Sequence, residues 1–175
     1  EHLGVKNIVL VSSGTAALEI AYRTLSISKY VITTPFSFIA TTSSLVTNGL
    51  KPIFADINPE TLNIDPPNIE NSITKNTSAI VAVHVFGNPC EVEKIEKIAQ
   101  DNNLKVIYDA AHAFDVKYKG QSILNYGDIS TLSFHATKLF HTIEGGALII
   151  NDDELVQKAR YLINFGIENQ ESIPE

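Results

Sequence analysis

The stretch Val106-Ile-Tyr-Asp-Ala-Ala-His112 opens with a short apolar run that ends at an aspartate. Apolar runs rich in β-branched and aromatic residues are typical of strands in a sheet that is covered on both faces. Six further runs share this character, and several are apolar throughout. The seven predicted strands are Ile8 to Val11, Val31 to Thr33, Ile53 to Ala55, Ala79 to Val85, Val106 to Tyr108, Thr131 to Phe134 and Ala147 to Ile150.

Segments between these runs carry apolar residues at helical spacing, so each predicted helix has one buried stripe. The stripes are Leu18, Ala21, Tyr22 and Leu25, then Val92, Ile95, Ile98 and Ala99, then Leu155, Ala159, Leu162 and Ile163. Strands separated by helices predict an α/β domain, with a mostly parallel seven-stranded sheet, right-handed crossovers and helices on both faces. Residues Asp56 to Pro67 are predicted to form an ordered loop, and Tyr118 to Ser122 a hairpin turn.

Composition narrows the class of protein. The 175 residues, 44% of them hydrophobic, suffice for one domain with a core of its own. A net charge of −7 without a dense basic cluster argues against a nucleic-acid or membrane-surface partner. The single cysteine, Cys90, cannot form an intramolecular disulfide, and no apolar run approaches the roughly 18 residues of a membrane span. We therefore expect a cytoplasmic protein, and we predict no metal site.

Three strand ends carry residues suited to ligand chemistry, and the first is Ser12-Ser-Gly-Thr-Ala-Ala-Leu18. Here Gly14 permits a tight turn, and the free N–H groups of a helix N-terminus, which include that of Thr15, attract an anion such as phosphate. Simple capping of the helix by Ser12, Ser13 or Thr15 explains the same residues.

The second strand end is Asp109, with His112 three residues later. An aspartate at the carboxyl end of a buried strand stands where α/β sheets place ligands, and its charge needs a partner such as a protonated ring nitrogen. The alternative is that Asp109 caps a short helix and that His112 is a satisfied surface histidine.

The third is Ser133-Phe-His-Ala-Thr-Lys138, followed by Glu144-Gly-Gly146. A lysine becomes a nucleophile when desolvation or nearby cations lower the pKa of its amine, although most lysines are simply solvated at the surface. The glycine pair is equally consistent with a turn. Phe38, within Pro35 to Thr41, offers an aromatic face that could stack on a ring, or a core side chain.

All three strand ends belong to one predicted sheet, so their loops can converge at its carboxyl edge. The set comprises an anion cradle, a carboxylate for a pyridinium nitrogen and a lysine for an aldehyde. Pyridoxal phosphate requires these three receptors. The sequence therefore predicts a pyridoxal-phosphate site.

Taken together, the motifs closely resemble those of the DegT/DnrJ/EryC1/StrS sugar aminotransferases, which have the aspartate aminotransferase fold. In order they are Ser13-Gly-Thr-Ala-Ala-Leu18, Thr34-Pro-Phe-Ser-Phe-Ile-Ala-Thr41, Pro52-Ile-Phe-Ala-Asp-Ile-Asn-Pro59, His84-Val-Phe-Gly87, Asp109-Ala-Ala-His112, Ser133-Phe-His-Ala-Thr-Lys138 and Glu144-Gly-Gly146. The resemblance spans nearly the whole chain, and several motifs in fixed order are far more specific than any one.

The resemblance implies a role for each site residue. Lys138 would form the Schiff base with the cofactor, and Asp109 would pair with its pyridinium nitrogen. Phe38 would lie over the ring and His112 beside it, near the phenolic oxygen. The phosphate would be bound by three residues, which are Gly14, Thr15 and Ser133.

The resemblance also implies a domain division and a partner. Residues 1–166 would form the large cofactor domain without the N-terminal helical segment of the family, and the absence of any methionine also leads us to expect a missing N-terminal segment. Residues 167–175 would begin a linker to a small C-terminal domain. Family active sites are shared between two subunits, so a homodimer is expected.

The activity that the resemblance implies is transfer of an amino group from an amino acid, glutamate in this family, to a keto sugar linked to a nucleoside diphosphate, in deoxyamino-sugar or surface-polysaccharide biosynthesis. The Phe-His-Ala-Thr-Lys-Leu-Phe-His variant, with Asp-Ala-Ala-His, resembles the branch that acts on nucleotide-linked 3-keto-6-deoxy sugars more than the 4-keto branch. Three alternatives stay open: a sugar 3-dehydratase, against which Lys138 argues because that enzyme has histidine there; another lyase or desulfurase of this fold; and a non-catalytic module.

Overall fold

Strands and helices alternate along the part of the chain that the computed structural model describes, which is residues 2–164 and 166–167. The strands are β1 (Ile8–Val11), β2 (Tyr30–Thr33), β3 (Lys51–Phe54), β4 (Thr77–Val83), β5 (Lys105–Asp109), β6 (Lys117–Tyr118), β7 (Gln121–Ser122), β8 (Ile129–Ser133) and β9 (Gly146–Ile150). The α-helices are α1 (Gly14–Thr24), α2 (Ile39–Thr47), α3 (Pro66–Ser72), α4 (Val92–Asn102) and α5 (Asp153–Ile163).

The main sheet has seven strands in the order β1-β9-β8-β5-β4-β2-β3. All pairs among β8, β5, β4, β2 and β3 are parallel, whereas β9 runs antiparallel to both of its neighbours. The predicted mostly parallel sheet is confirmed, and so are all seven strands to within two residues at each end. The predicted hairpin is also confirmed, because β6 pairs with β7 around Lys119 and Gly120.

Helices cover both faces of this sheet, as predicted. Side chains alternate along β4, so that Ile80 packs into one buried cluster with Ile95 of α4, and Val81 packs into another with Leu18 of α1. Every residue of β9 is buried, which explains why its sequence is apolar throughout.

Three helices differ from the prediction, since α2 and α3 were not predicted and α5 has another buried stripe. The stripe of α5 is formed by Val156 and Ala159, while Ile163 is exposed. The predicted loop from Asp56 to Pro67 ends two residues early, at Asp65, because a helix starts at Pro66, a residue that suits a first helical position. Within that loop, a bridge between Ile57 and Ile64 supplies the expected order.

The predicted linker comprises residues 167–175, of which residues 168–175 lie outside the described residues, so the domain division stays a prediction. Within the described ranges, no helix combines the length and the apolar character needed to cross a membrane. The same ranges contain no group of three or more histidine, cysteine, aspartate or glutamate side chains placed to hold a metal ion.

Candidate active site

A cavity of about 390 Å³ lies at the carboxyl edge of the sheet, where β1, β5 and β8 end and β9 begins. Parallel strands bring their carboxyl ends to one edge, which is where α/β sheets bind ligands. All seven residues predicted from the sequence line this cavity: Gly14, Thr15, Phe38, Asp109, His112, Ser133 and Lys138. The structure therefore brings the predicted set together, while the role of each residue stays a prediction.

The N-terminus of α1 forms one wall. Ser13 is the N-cap, and its Oγ accepts a hydrogen bond from the N–H of Ala16 at 3.1 Å, so the capping interpretation is confirmed. Capping leaves an anion site open, because the N–H groups of Gly14 and Thr15 also belong to the first turn and have no partner inside the helix.

Two glycines allow this helix to approach the neighbouring strands. A Cβ at Gly14 would lie 2.8 Å from Cβ of Ser133, the last residue of β8. A Cβ at Gly146 would lie 2.4 Å from the carbonyl carbon and oxygen of Ser13. The glycine pair is therefore more than a turn, since Gly146 lets the backbone before α1 lie directly against β9.

Asp109 is the last residue of β5 and only 7% exposed. Its Oδ2 accepts a hydrogen bond from Thr41 Oγ1 at 2.7 Å, and its Oδ1 accepts from the N–H of Ala111 at 3.1 Å. The residues that follow form turns, so the interpretation as a cap of a short helix is wrong.

The carboxylate of Asp109 has no cationic partner within the described part of the chain, where no lysine, arginine or histidine forms an ion pair with it. A buried charge is costly unless it is paired. This carboxylate is thus suited to a cationic group of a ligand in the cavity.

Lys138 is half-buried in the loop between β8 and β9. Backbone bonds fix this loop, because the N–H of Lys138 donates to the carbonyl of His135 at 2.9 Å and that of Ala136 donates to Ile143 at 2.8 Å. The simple interpretation of Lys138 as a solvated surface lysine does not fit its position in the cavity wall.

His112 lies at the rim, where its ring stacks on Phe86 with 6.0 Å between centroids. Burial and the nearby cation of Lys138 lower the pKa of His112, and the charge of Asp109 partly opposes that change. His112 is accordingly neutral at pH 7, so it can offer one donor and one acceptor to a ligand.

Phe38 occupies the N-cap position of α2, and its side chain is 73% exposed. The interpretation as a core residue is therefore wrong, and the ring remains free to cover a ligand. The cavity is also lined by residues that the sequence did not single out, namely Ser37, His135, Thr137 and Glu144. All four lie inside motifs already quoted, but nothing in a motif tells which of its polar side chains face the ligand.

Comparison with known proteins agrees with this geometry. The model of the DegT/DnrJ/EryC1/StrS aminotransferase family matches residues 1–173. A dTDP-4-amino-4,6-dideoxy-D-glucose transaminase of Shigella dysenteriae is 55% identical over 99% of this chain and 47% of its own length.

Solved structures agree as well. PseC of Helicobacter pylori, an aminotransferase involved in pseudoaminic acid biosynthesis, superposes with a TM-score of 0.94 at 35% identity, over 99% of this chain and 47% of its own. NtdA of Bacillus subtilis, solved with its bound cofactor PMP, superposes with a TM-score of 0.86 at 34% identity, over 98% of this chain and 40% of its own. The chain spans about half the length of the curated relatives that it matches.

Proposed function

Because the chain belongs to the DegT/DnrJ/EryC1/StrS aminotransferase family, we propose that the whole protein is a pyridoxal-phosphate-dependent transaminase of nucleotide-linked keto sugars. One observation carries the proposal. One cavity is lined by Lys138, by the buried carboxylate of Asp109, which has no cationic partner, and by the N-terminus of α1, which Gly14 and Gly146 allow to approach the sheet.

The residues of the cavity fit the cofactor group by group. Its volume of about 390 Å³ lies in the range of small-molecule sites. The first turn of α1 and the Ser133 hydroxyl bind the phosphate, and Asp109 holds the positive charge of the ring nitrogen. The bound cofactor supplies an electron sink for reactions at the amino-bearing carbon. The PMP in a solved relative supports this assignment.

Lys138 has two tasks in this proposal. Its amine would hold the cofactor at the aldehyde group. When free, the same amine would move a proton as a general base and acid. Phe38 covers one side of the ring, and the neutral His112 donates a hydrogen bond at the rim.

For the substrate, we propose a nucleoside-diphosphate-linked 6-deoxy sugar with its ketone at carbon 4, and glutamate as amino donor. A transaminase places the amino group on the carbon that carried the ketone, and the name of the Shigella relative puts that group at carbon 4. This differs from carbon 3, which the resemblance of the Lys138 motif favoured.

We also propose that the protein works as a homodimer in the cytoplasm. Exposed apolar side chains line the cavity, flank its lining residues in sequence or stack on one of them, and such patches mark interaction surfaces. They are Phe38, Phe86, Leu139 and Ile143. The chain's single cysteine, Cys90, is a buried free thiol, which suits a reducing compartment.

The test uses the full-length protein with pyridoxal phosphate, glutamate and a panel of nucleotide-linked 3-keto and 4-keto sugars. We expect an amino sugar and 2-oxoglutarate in equal amounts from a 4-keto sugar. Lys138→Ala should abolish the reaction, and Asp109→Asn should slow it by about 100-fold or more, since it removes a preorganised charge. Lys97→Ala, on the far exposed face of α4, is the control.

A product without the amino group would indicate a dehydratase, and no product from any sugar would favour a non-catalytic module.

A further inference from the structure

We propose that Ser37 and Thr41 form a relay of two hydroxyl groups that positions the carboxylate of Asp109 for a cationic ring nitrogen. The inference rests on the proposed function, and it assigns positioning roles to two residues that no comparison assigns. Thr41 does not itself line the cavity and acts only through Asp109.

Thr41 is fully buried in the first turn of α2, and its Oγ1 lies 2.7 Å from Asp109 Oδ2. An ionised carboxylate can only accept hydrogen bonds, so Thr41 must donate its one hydroxyl proton to Asp109. Bonds from a hydroxyl to a carboxylate are short and strong. This contact is therefore a principal restraint on the carboxylate.

Ser37 completes the relay. Its Oγ lies 2.5 Å from Thr41 Oγ1, and since the proton of Thr41 points to Asp109, Ser37 must be the donor in this pair. Two hydroxyl bonds that point in the same direction polarise each other, which strengthens the second one. The relay thus ends on Asp109 with more donor strength than Thr41 alone would give.

The position of Thr41 is itself fixed from α1. Ser44 Oγ donates to the Thr41 carbonyl at 3.3 Å, and Tyr22, at 3.1 Å from Ser44 Oγ, must then be the donor to Ser44. Burial raises the pKa of Tyr22, so its hydroxyl keeps the proton that this bond needs. The relay is therefore anchored in the core and independent of any ligand.

The other carboxylate oxygen is held separately by the N–H of Ala111. Each oxygen of Asp109 thus has one fixed protein donor, which prevents rotation of the group and leaves acceptor capacity on both oxygens. Phe38 lies between Ser37 and Thr41 in sequence, so the segment that would cover the ring also holds the carboxylate.

The test compares two cofactors on the full-length apoprotein by measuring their dissociation constants. One is pyridoxal phosphate, and the other is its carbocyclic analogue, in which CH replaces the ring nitrogen and which Asp109 cannot recognise. Thr41→Val removes the hydroxyl at nearly constant volume, and Thr41→Ser restores it. Thr33→Val is the matched control, because Thr33 is equally buried but donates to the Val81 carbonyl at 2.9 Å.

We expect Thr41→Val to weaken binding of pyridoxal phosphate by about tenfold or more, the usual effect of losing a hydrogen bond to a charged group. Binding of the analogue should not change. Thr41→Ser should recover most of the affinity, Thr33→Val should alter neither constant, and Ser37→Ala, on a more exposed segment, should give a smaller loss than Thr41→Val.

Two results would overturn this inference and leave the proposed function intact. The first is unchanged binding of pyridoxal phosphate by Thr41→Val and Ser37→Ala. The second is an equal loss of affinity for both cofactors in Thr41→Val, which would show a packing role. If the wild-type protein binds no pyridoxal phosphate, or binds the two cofactors alike, the proposed function fails instead.

Discussion

The N–H of His84, after β4, donates a hydrogen bond to the carbonyl of Asp109 at the end of β5. The surroundings of their two side chains are nevertheless very different. Asp109 meets two hydrogen-bond donors and a cavity. The His84 ring is fully buried, stacks on Tyr108 at 4.6 Å between centroids, and accepts from the Cys90 N–H through Nδ1. Burial lowers the pKa of His84 to about 3, so its ring is neutral in the folded protein.

This neutral histidine predicts a loss of stability in acid. Below a pH near 6.5 the unfolded chain binds a proton at His84, which the folded chain does not bind until pH about 3. From pH 7 to pH 5, His84 should therefore lower the free energy of unfolding by about 2 kcal/mol. Urea unfolding of wild type and His84→Gln at both pH values measures the difference.

His141→Gln removes an exposed histidine and should leave the pH dependence as in the wild type. If His84→Gln loses as much stability between pH 7 and pH 5 as the wild type does, the account of this residue is wrong.

At the scale of elements, the site depends on how closely α1 approaches β8 and β9. The helix N-terminus lies against both strands because Gly14 and Gly146 have no side chain. Backbone groups that meet this closely cannot relax as a flexible side chain could. A single added methyl group therefore tests whether the site requires this close contact between the start of α1 and β9.

Gly146→Ala should destabilise the protein by about 1–3 kcal/mol, because the new Cβ overlaps the backbone of Ser13. It should also weaken binding of inorganic phosphate and of pyridoxal phosphate. Gly4→Ala is the control, since its φ of +61° makes alanine strained there but its surroundings are open. If Gly146→Ala and Gly4→Ala lost the same stability and Gly146→Ala bound phosphate as the wild type does, the close approach of α1 to β9 would not explain the site.

The elements also show what the sequence can predict. All seven strands of the sheet are recognisable from apolar runs, and α1 and α4 from their stripes, because these patterns are local. Helix α2 has no such signal, since residues 39–47 are rich in threonine and serine, which have modest helix propensity. Packing of Leu45 into the core and side-chain hydrogen bonds support this helix instead.

The same distinction applies to the site. Lys138, Asp109 and Gly14 are predictable because each follows a predicted strand, and strand ends meet at one edge. The contact between Thr41 and Asp109 joins residues 68 positions apart in sequence. Only the tertiary packing of α2 against the sheet brings them together, so no local pattern could have indicated it.

At the scale of the whole molecule, the exposed apolar side chains in and next to the cavity lining link the proposed assembly to the site. Leu139 directly follows Lys138 in sequence and is 93% exposed. Phe140 and Ile143 nearby are exposed as well, and clustered apolar side chains mark interaction surfaces. A second subunit is the covering surface that we propose.

Leu139→Glu in the full-length protein should raise the dimer dissociation constant by about tenfold or more, because a charge at the centre of an apolar contact is left unpaired. Sedimentation velocity over a range of concentrations measures this constant. Tyr161→Glu alters an exposed residue of α5 away from the cavity and should leave the constant unchanged. A full-length wild type that sediments as a monomer at all concentrations would refute the dimer.

The most direct measurement on the central claim is reductive trapping of the cofactor on the full-length protein. After incubation with pyridoxal phosphate and treatment with borohydride, peptide mass mapping locates the covalent adduct. We predict one adduct, on the peptide that contains Lys138, and none in Lys138→Ala. An adduct on a different lysine, or its persistence in Lys138→Ala, would show that this cavity is not the cofactor site.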